Sequence, residues 1–207
     1  MGVPELPELA FDEQRHIYSL VGYGINLPSV TGIMRPLSNA HYGGIDEDVL
    51  AAAAERGQAV HQAIENYLLF GIDDIGPEHG GYYSAFKDWL ASTGWEIVAT
   101  EKRIYHRTLK YAGTADLLCR SDDSDGLICV DIKTSQSIVD MLARVQTEAY
   151  ARAFASHGAR ICGKAIVRLQ RDGKWELKQY GRQDGEAWEA FSGLLVINNY
   201  MKKYGGK

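Results

Sequence analysis

The stretch Leu-Ile-Cys-Val-Asp-Ile-Lys at residues 127–133 constrains the fold more than any other part of the chain. Four apolar residues in a row are typical of a strand buried on both faces of a sheet. Side chains alternate along a strand, so Asp131 and Lys133 would share one face while Ile132 enters the core. The stretch therefore predicts a buried strand that ends in a charged pair. An ordinary ion pair at a sheet edge is the alternative interpretation.

The remaining pattern predicts one α/β domain with a mixed central sheet and helices on its faces. Residues 1–26 form a lead-in (1–8 expected to be mobile), 27–180 the core and 181–207 a C-terminal helix. An extended segment at 27–34 should lead into a short helix capped by Ser29 or Thr31, before a break at Gly43-Gly44. The predicted helices are 46–70, 82–92, 138–157 and 184–203. The predicted strands are 96–106, 111–119, 127–134, 160–170 and 174–180, with hairpin turns at 121–126 and 172–173.

Charge and cysteine usage bound the function. The formal net charge of −5 argues mildly against a nucleic-acid partner, but a metal site must itself collect carboxylates, and bound cations restore positive potential. The three cysteines lack CxxC spacing, which predicts buried free thiols and no iron–sulfur cluster. With no apolar run that could span a bilayer and no signal peptide, we expect a cytoplasmic protein, in the host cytoplasm if it is phage-encoded.

A second acid lies in the run Gly113-Thr114-Ala115-Asp116 of the preceding strand. The hairpin at 121–126 would bring Asp116 beside Asp131, and two close carboxylates attract a divalent cation. A hydrogen-bonded structural aspartate is the alternative.

Two helices carry further candidates. His61 and Glu65 share a helix face, which would suit an imidazole ligand with an acid beside it, or an ordinary surface pair. Gln146 and Tyr150 also lie one turn apart. They could bind a phosphate or hold Lys133, or they could simply form an amphipathic face.

Together these motifs make residues 27–154 resemble the PD-(D/E)XK nuclease superfamily, in particular the RecB-like exonuclease branch that includes phage recombination nucleases. The resemblance implies a restriction-endonuclease-like core. The metal ligands would be His61, Asp116, Asp131 and the backbone carbonyl of Ile132. The catalytic group would comprise Lys133, Asp131, Asp116 and Glu65, with Gln146 and Tyr150 contacting substrate and Glu101, at the start of a strand, as an additional acid. Two departures are Ala115, where the family name calls for proline, and the missing cluster cysteines.

The resemblance implies a DNA exonuclease that uses Mg²⁺ or Mn²⁺ and leaves a 5′-phosphate and a 3′-hydroxyl. Phage or mobile-element DNA recombination would be its setting, with a single-strand annealing protein or a helicase as partner. Three alternatives stay open: a structure-specific endonuclease or nickase, a non-catalytic nucleic-acid-binding module, and a hydrolase of small phosphate esters, although the chain has no glycine-rich phosphate loop. Polarity, strand preference and oligomeric state are not specified.

Overall fold

A five-stranded mixed sheet forms the centre of the computed structural model, which describes residues 3, 7–12, 15 and 17–205. Its strands, in spatial order, are β4 (Glu96–Tyr105), β5 (Ala112–Arg120), β6 (Leu127–Lys133), β7 (Ile161–Leu169) and β8 (Trp175–Tyr180). Only β6 and β7 pair in parallel, while the other neighbours are antiparallel. The strand at 127–133 thus occupies the centre of the sheet, and the sheet-edge interpretation of its charged pair is wrong.

Helices cover both faces of this sheet. They are α1 (Val30–Ile33), α2 (Arg35–Tyr42), α3 (Glu47–Phe70), α4 (Gly80–Thr93), α5 (Asp140–Ala155) and α6 (Gly185–Tyr204). One core cluster packs α1, α5 and α6 against the sheet through residues such as Phe154 and Phe191. A second packs α3 and α4 through residues such as Ile64 and Trp89. The predicted fold class, a mixed central sheet flanked by helices, is confirmed.

The long helix α3 shows why the local sequence specifies its ends. The Asp46 side chain accepts a hydrogen bond from the Asp48 amide at the N-terminus. Gly71 adopts a left-handed conformation, with φ of 69°, at the C-terminus. In the same way Ser29 caps α1 by accepting from the Gly32 amide, so of the two predicted cap residues Ser29 serves this role.

An additional antiparallel sheet precedes the core and was not predicted from the sequence. It consists of β1 (Leu9–Asp12), β2 (Ile17–Leu20) and β3 (Ile25–Pro28). Gly22 and Gly24, both at positive φ, form the turn between β2 and β3. The predicted mobility of residues 1–8 falls largely outside the described residues, since these exclude 1, 2 and 4–6. Helix α2 was also missed.

A buried ion pair joins α5 to the sheet. The Lys164 ammonium on β7 donates to the Glu148 carboxylate, and both side chains are almost fully buried. Arg152, one turn further along α5, donates from Nε to the other Glu148 oxygen at 2.8 Å. Because an isolated charge is very unfavourable in such surroundings, each of the two buried groups depends on the other.

Two further features accord with the composition. Cys119 and Cys129 are buried free thiols in the core, as predicted, whereas Cys162 is partly exposed. No helix in the described part of the chain is long and apolar enough to cross a membrane.

Candidate active site

All the residues singled out by the sequence line one cleft of about 1030 Å³. Helix α3 forms one wall, the strands β4, β5 and β6 form the floor, and α5 supplies the opposite wall. The residues brought together are His61, Glu65, Glu101, Asp116, Asp131, Ile132, Lys133, Gln146 and Tyr150. Motifs spread over 90 residues of sequence therefore converge on a single surface.

His61, Glu101 and Asp116 form a compact group of potential metal ligands. Nδ1 of His61 lies 3.5 Å from Oε1 of Glu101 and 3.7 Å from Oδ1 of Asp116. One donor atom from each residue can be chosen so that all three lie within 4.8 Å of one another. The spacing suits a shared cation, and its members come from α3, β4 and β5.

Glu101 occupies a different place from the one predicted. It lies in the middle of β4, between the pairs Thr100–Leu117 and Lys102–Ala115, and so faces Asp116 across the two strands. Its φ is +44°, in the left-handed region that non-glycine residues rarely adopt. The prediction that it begins a strand was wrong. The strained backbone directs an acid into the cleft, a placement that spacing alone did not reveal.

Asp131 and Lys133 share one face of β6, as predicted, while the Ile132 side chain packs in the core. The Asp131 side chain is only 2% exposed, and the Lys133 Nζ lies 2.7 Å from its Oδ2. The two groups form a close ion pair, so Oδ2 of Asp131 already faces one positive charge.

The predicted glutamine and tyrosine complete the surroundings of the lysine. Nζ of Lys133 donates to Oε1 of Gln146 at 3.1 Å, and Nε2 of Gln146 donates to the Tyr150 hydroxyl at 3.1 Å. The Gln-x-x-x-Tyr face of α5 is therefore turned toward the cleft, and its glutamine holds the lysine. The predicted contact of these two side chains with substrate is untested.

The backbone of Ile132 links the two sides of the site. Its amide donates to Oδ2 of Asp116 at 2.6 Å, and its carbonyl accepts from Nε2 of His61 at 3.2 Å. Asp116 is thus hydrogen-bonded, as the structural alternative required, yet its Oδ1 remains directed toward His61. The Ile132 carbonyl, which was predicted to be a metal ligand, therefore faces the His61 imidazole.

Glu65 stands apart from the compact group. It lines the cleft, but its Oε2 accepts a hydrogen bond from the Gln62 side chain at 3.1 Å, and it is not a member of the three-residue donor group. The role of an outer acid, which the family resemblance implied for Glu65, stays a prediction.

Burial and mutual repulsion perturb the acids. Burial raises the pKa of Asp131 to about 6, with Asp116 adding to the rise and Lys133 opposing it. Burial also raises the pKa of Asp116, against the influence of His61. For His61, burial lowers the pKa, but Asp116 and Glu101 outweigh it, and the pKa rises to about 9. Three acids thus share the site with one imidazole and one ammonium.

These observations fit a divalent cation. The donor set combines carboxylate oxygens, a backbone carbonyl and one imidazole, a mixture compatible with Mg²⁺ or Mn²⁺. A cation would relieve the repulsion between the acids. His61, Glu101, Asp116 and Asp131 are the residues that would hold it.

Sequence reasoning also missed residues that build the cleft from the N-terminal sheet. The Tyr18 hydroxyl lies 2.8 Å from Oγ1 of Thr114, two residues from Asp116, and Arg103 donates to the Leu9 carbonyl at 2.8 Å. Phe11 stacks on Tyr18 with ring centroids 4.4 Å apart, and both line the cleft. The available signal was the Val-Gly-Tyr-Gly turn at residues 21–24 between two short apolar runs.

Comparisons with known proteins found similarities among solved structures. No family model matches the chain, and no curated protein matches it. Among solved structures, one described as SSO0001 is 19% identical, with a TM-score of 0.45, over 85% of this chain and 81% of that one. The alkaline exonuclease LHK-Exo from Laribacter hongkongensis is 16% identical, with a TM-score of 0.35, over 72% and 84%. Its complex with dAMP gives 17% identity and the same TM-score and coverage.

Proposed function

We propose that this chain is a metal-dependent nuclease that hydrolyses phosphodiester bonds in DNA. The observation that carries the proposal is the convergence of Asp116, Asp131 and Lys133 with His61 in one cleft. Two buried acids beside an imidazole can hold a cation, and a lysine at the same place can act on a phosphate.

The chemistry can be divided between the cation and the protein. A bound Mg²⁺ or Mn²⁺ supplies a Lewis acid for the phosphate and lowers the pKa of a water molecule. Lys133 supplies fixed positive charge. Burial lowers its pKa, but Asp131 and Asp116 outweigh burial and raise it, so the ammonium stays protonated at neutral pH. It would therefore orient the attacking water and stabilise the charge that develops on the phosphate, rather than act as a general base.

The remaining residues would position these groups. Gln146 holds Lys133 from one side and is itself held by Tyr150. The Ile132 amide fixes the orientation of Asp116. Such preorganisation matters because misplacing a reacting group by about 1 Å can reduce the rate by about 10²-fold. A role in exonucleolytic processing during phage or mobile-element recombination, beside an annealing protein or helicase, is the narrower form of the proposal.

The decisive experiment is to incubate the protein with end-labelled linear duplex and closed circular DNA, in Mg²⁺, in Mn²⁺ and in EDTA. We expect cleavage only with metal, and only of the linear DNA if the enzyme is an exonuclease. Asp131→Ala should abolish cleavage. Asp140→Ala is the matched control, because that acid pairs with Lys178 at the surface and does not line the cleft.

The other outcomes separate the alternatives. Cutting of the circle would indicate an endonuclease or nickase. Binding without cleavage of duplex, single-stranded or branched DNA would indicate a binding module. Turnover of small phosphate esters alone would identify a small-ester hydrolase.

A further inference from the structure

Arg56 is a cleft residue with a buried donor that makes no hydrogen bond to the described residues. It lies on α3 immediately before Gly57 and lines the cleft. Its Nε is buried and has no hydrogen-bond partner among the described residues. The other arginine of the cleft, Arg103, donates instead to the Leu9 carbonyl. The two arginines therefore differ: Arg103 donates to a backbone carbonyl, whereas Arg56 keeps a buried Nε without a hydrogen-bond partner among the described residues.

An arginine in this state is suited to an anion. A guanidinium stays charged at any physiological pH, and its five N–H donors need acceptors, so a buried N–H without one is unfavourable. The Arg56 guanidinium lies 5.7 Å from the centre of the Tyr82 ring, a cation–π distance that would hold it in place without using its hydrogen-bond donors. Its planar donor fork matches the oxygens of a phosphate.

The position along the helix separates this phosphate from the reacting one. Arg56 precedes His61 on α3 by five residues, which is about 7.5 Å along a helix axis. A phosphate bound by Arg56 would therefore be a different one from the phosphate at the proposed metal site.

We infer that Arg56 binds a substrate phosphate other than the scissile one, so that the cleft selects an oligonucleotide strand over an isolated phosphate ester. This inference rests on the proposed nuclease function and specifies its substrate. The arginine is a substrate-binding residue, distinct from the groups at the reacting phosphate.

The test compares substrates that reach Arg56 with one that does not. Steady-state kinetics would be measured with bis(p-nitrophenyl) phosphate, which has one phosphodiester, and with single-stranded oligonucleotides of two to eight nucleotides. The variants are Arg56→Gln and the control Arg160→Gln, which removes the same charge from a surface pair with Asp125 outside the cleft. Arg56→Lys is a second variant that keeps the positive charge but lacks the planar guanidinium. It replaces Arg56→Gln in the test if that variant does not fold.

We expect kcat/KM of the wild type to rise once the oligonucleotide is long enough to reach Arg56. Arg56→Gln should lose that rise, with KM for longer strands increased about tenfold, the lower range for a hydrogen bond to a charged group. Turnover of the small ester should stay within about twofold of wild type. The control should resemble wild type on every substrate.

Two results would overturn the inference while leaving the nuclease proposal intact: unchanged length dependence in Arg56→Gln, or an equal loss on the small ester and the long strand, which would mark a purely structural residue. A wild type that cleaves nothing would instead count against the proposed function. Binding of a labelled oligonucleotide at several salt concentrations then tests Arg56 separately. The salt slope should fall by about one in Arg56→Gln, and an unchanged slope would refute the assignment.

Discussion

Gly113 and Tyr150 are sterically matched: a Cβ atom on residue 113 would lie 2.4 Å from Cε1 of the Tyr150 ring. The glycine of the Gly-Thr-Ala-Asp motif on β5 is therefore required by the tyrosine of the Gln-x-x-x-Tyr motif on α5. Two motifs separated in sequence prove to be one packing arrangement, and this arrangement holds α5 close enough for Gln146 to reach Lys133.

Gly113→Ala should displace the Tyr150 ring and weaken both the fold and the site. Overpacking of this kind costs about 1–3 kcal/mol of unfolding free energy, to be measured by urea denaturation. In Tyr150→Ala, where the ring is absent, adding Gly113→Ala should cost much less. Additive effects of the two substitutions would contradict the proposed steric relationship.

Lys133→Ala should lose cleavage while still binding metal. Removing a charge that stabilises the developing phosphate charge typically lowers kcat by about 10²–10³-fold. Turnover would be measured on linear DNA, and Mn²⁺ binding by calorimetry. Lys178→Ala, which removes a surface lysine paired with Asp140, is the control and should behave as wild type. Undiminished cleavage by folded Lys133→Ala would rule out its catalytic role.

Metal binding should release a proton from His61. Its pKa of about 9 means that the imidazole of the metal-free protein is protonated at neutral pH, whereas a ligand imidazole must be neutral. Affinity should therefore rise as pH rises, about tenfold per unit for one displaced proton, and level off above about pH 9.

Calorimetry at pH 7.5 in two buffers of different ionisation enthalpy would count the protons released by Mn²⁺ binding. The wild type should release about one from His61, and His61→Asn should release fewer. Equal Mn²⁺ affinity of the wild type at pH 7 and pH 9 would show that the imidazole is not a ligand.

The buried pair of Lys164 and Glu148 should dominate the stability of the α5–sheet contact. Glu148→Ala leaves the fully buried Lys164 ammonium without its counter-charge, and breaking a buried pair in this way costs about 3–5 kcal/mol. Urea denaturation would measure the loss. Replacing both residues, as Glu148→Leu with Lys164→Met, should recover most of it. A double variant no more stable than Glu148→Ala would argue against this account.

The elements that sequence predicted well carry their own local signals. Helix α3 was predicted at 46–70 and observed at Glu47–Phe70, because Asp46 and Gly71 encode its ends. Strand β6 was evident from its apolar run, and the alternation along it placed Asp131 and Lys133 on one face. Spacing and order were sufficient to collect the residues of the cleft, although their roles remain predictions.

The features that sequence missed depend on distant contacts. Strands β1, β2 and β3 are only four residues each, and their place is fixed by the bonds from Arg103 and Tyr18 to other parts of the chain. Glu101 is aimed into the cleft by a left-handed backbone that no propensity favours. Arg56 belongs to no motif, and only its unsatisfied burial distinguishes it.

The contacts on the two sides of the cleft join residues that are separated by very different lengths of chain. Lys133 and Gln146 are 13 residues apart, within one strand–helix unit, whereas the His61 contact with Ile132 spans 71 residues. Contacts between distant residues form more slowly, because a longer loop must lose entropy first. A refolding chain would therefore rebuild the surroundings of its lysine early and seat its histidine late. During refolding, catalytic activity would return later than the secondary structure of the sheet. The time that α3 needs to pack onto the sheet would determine this delay.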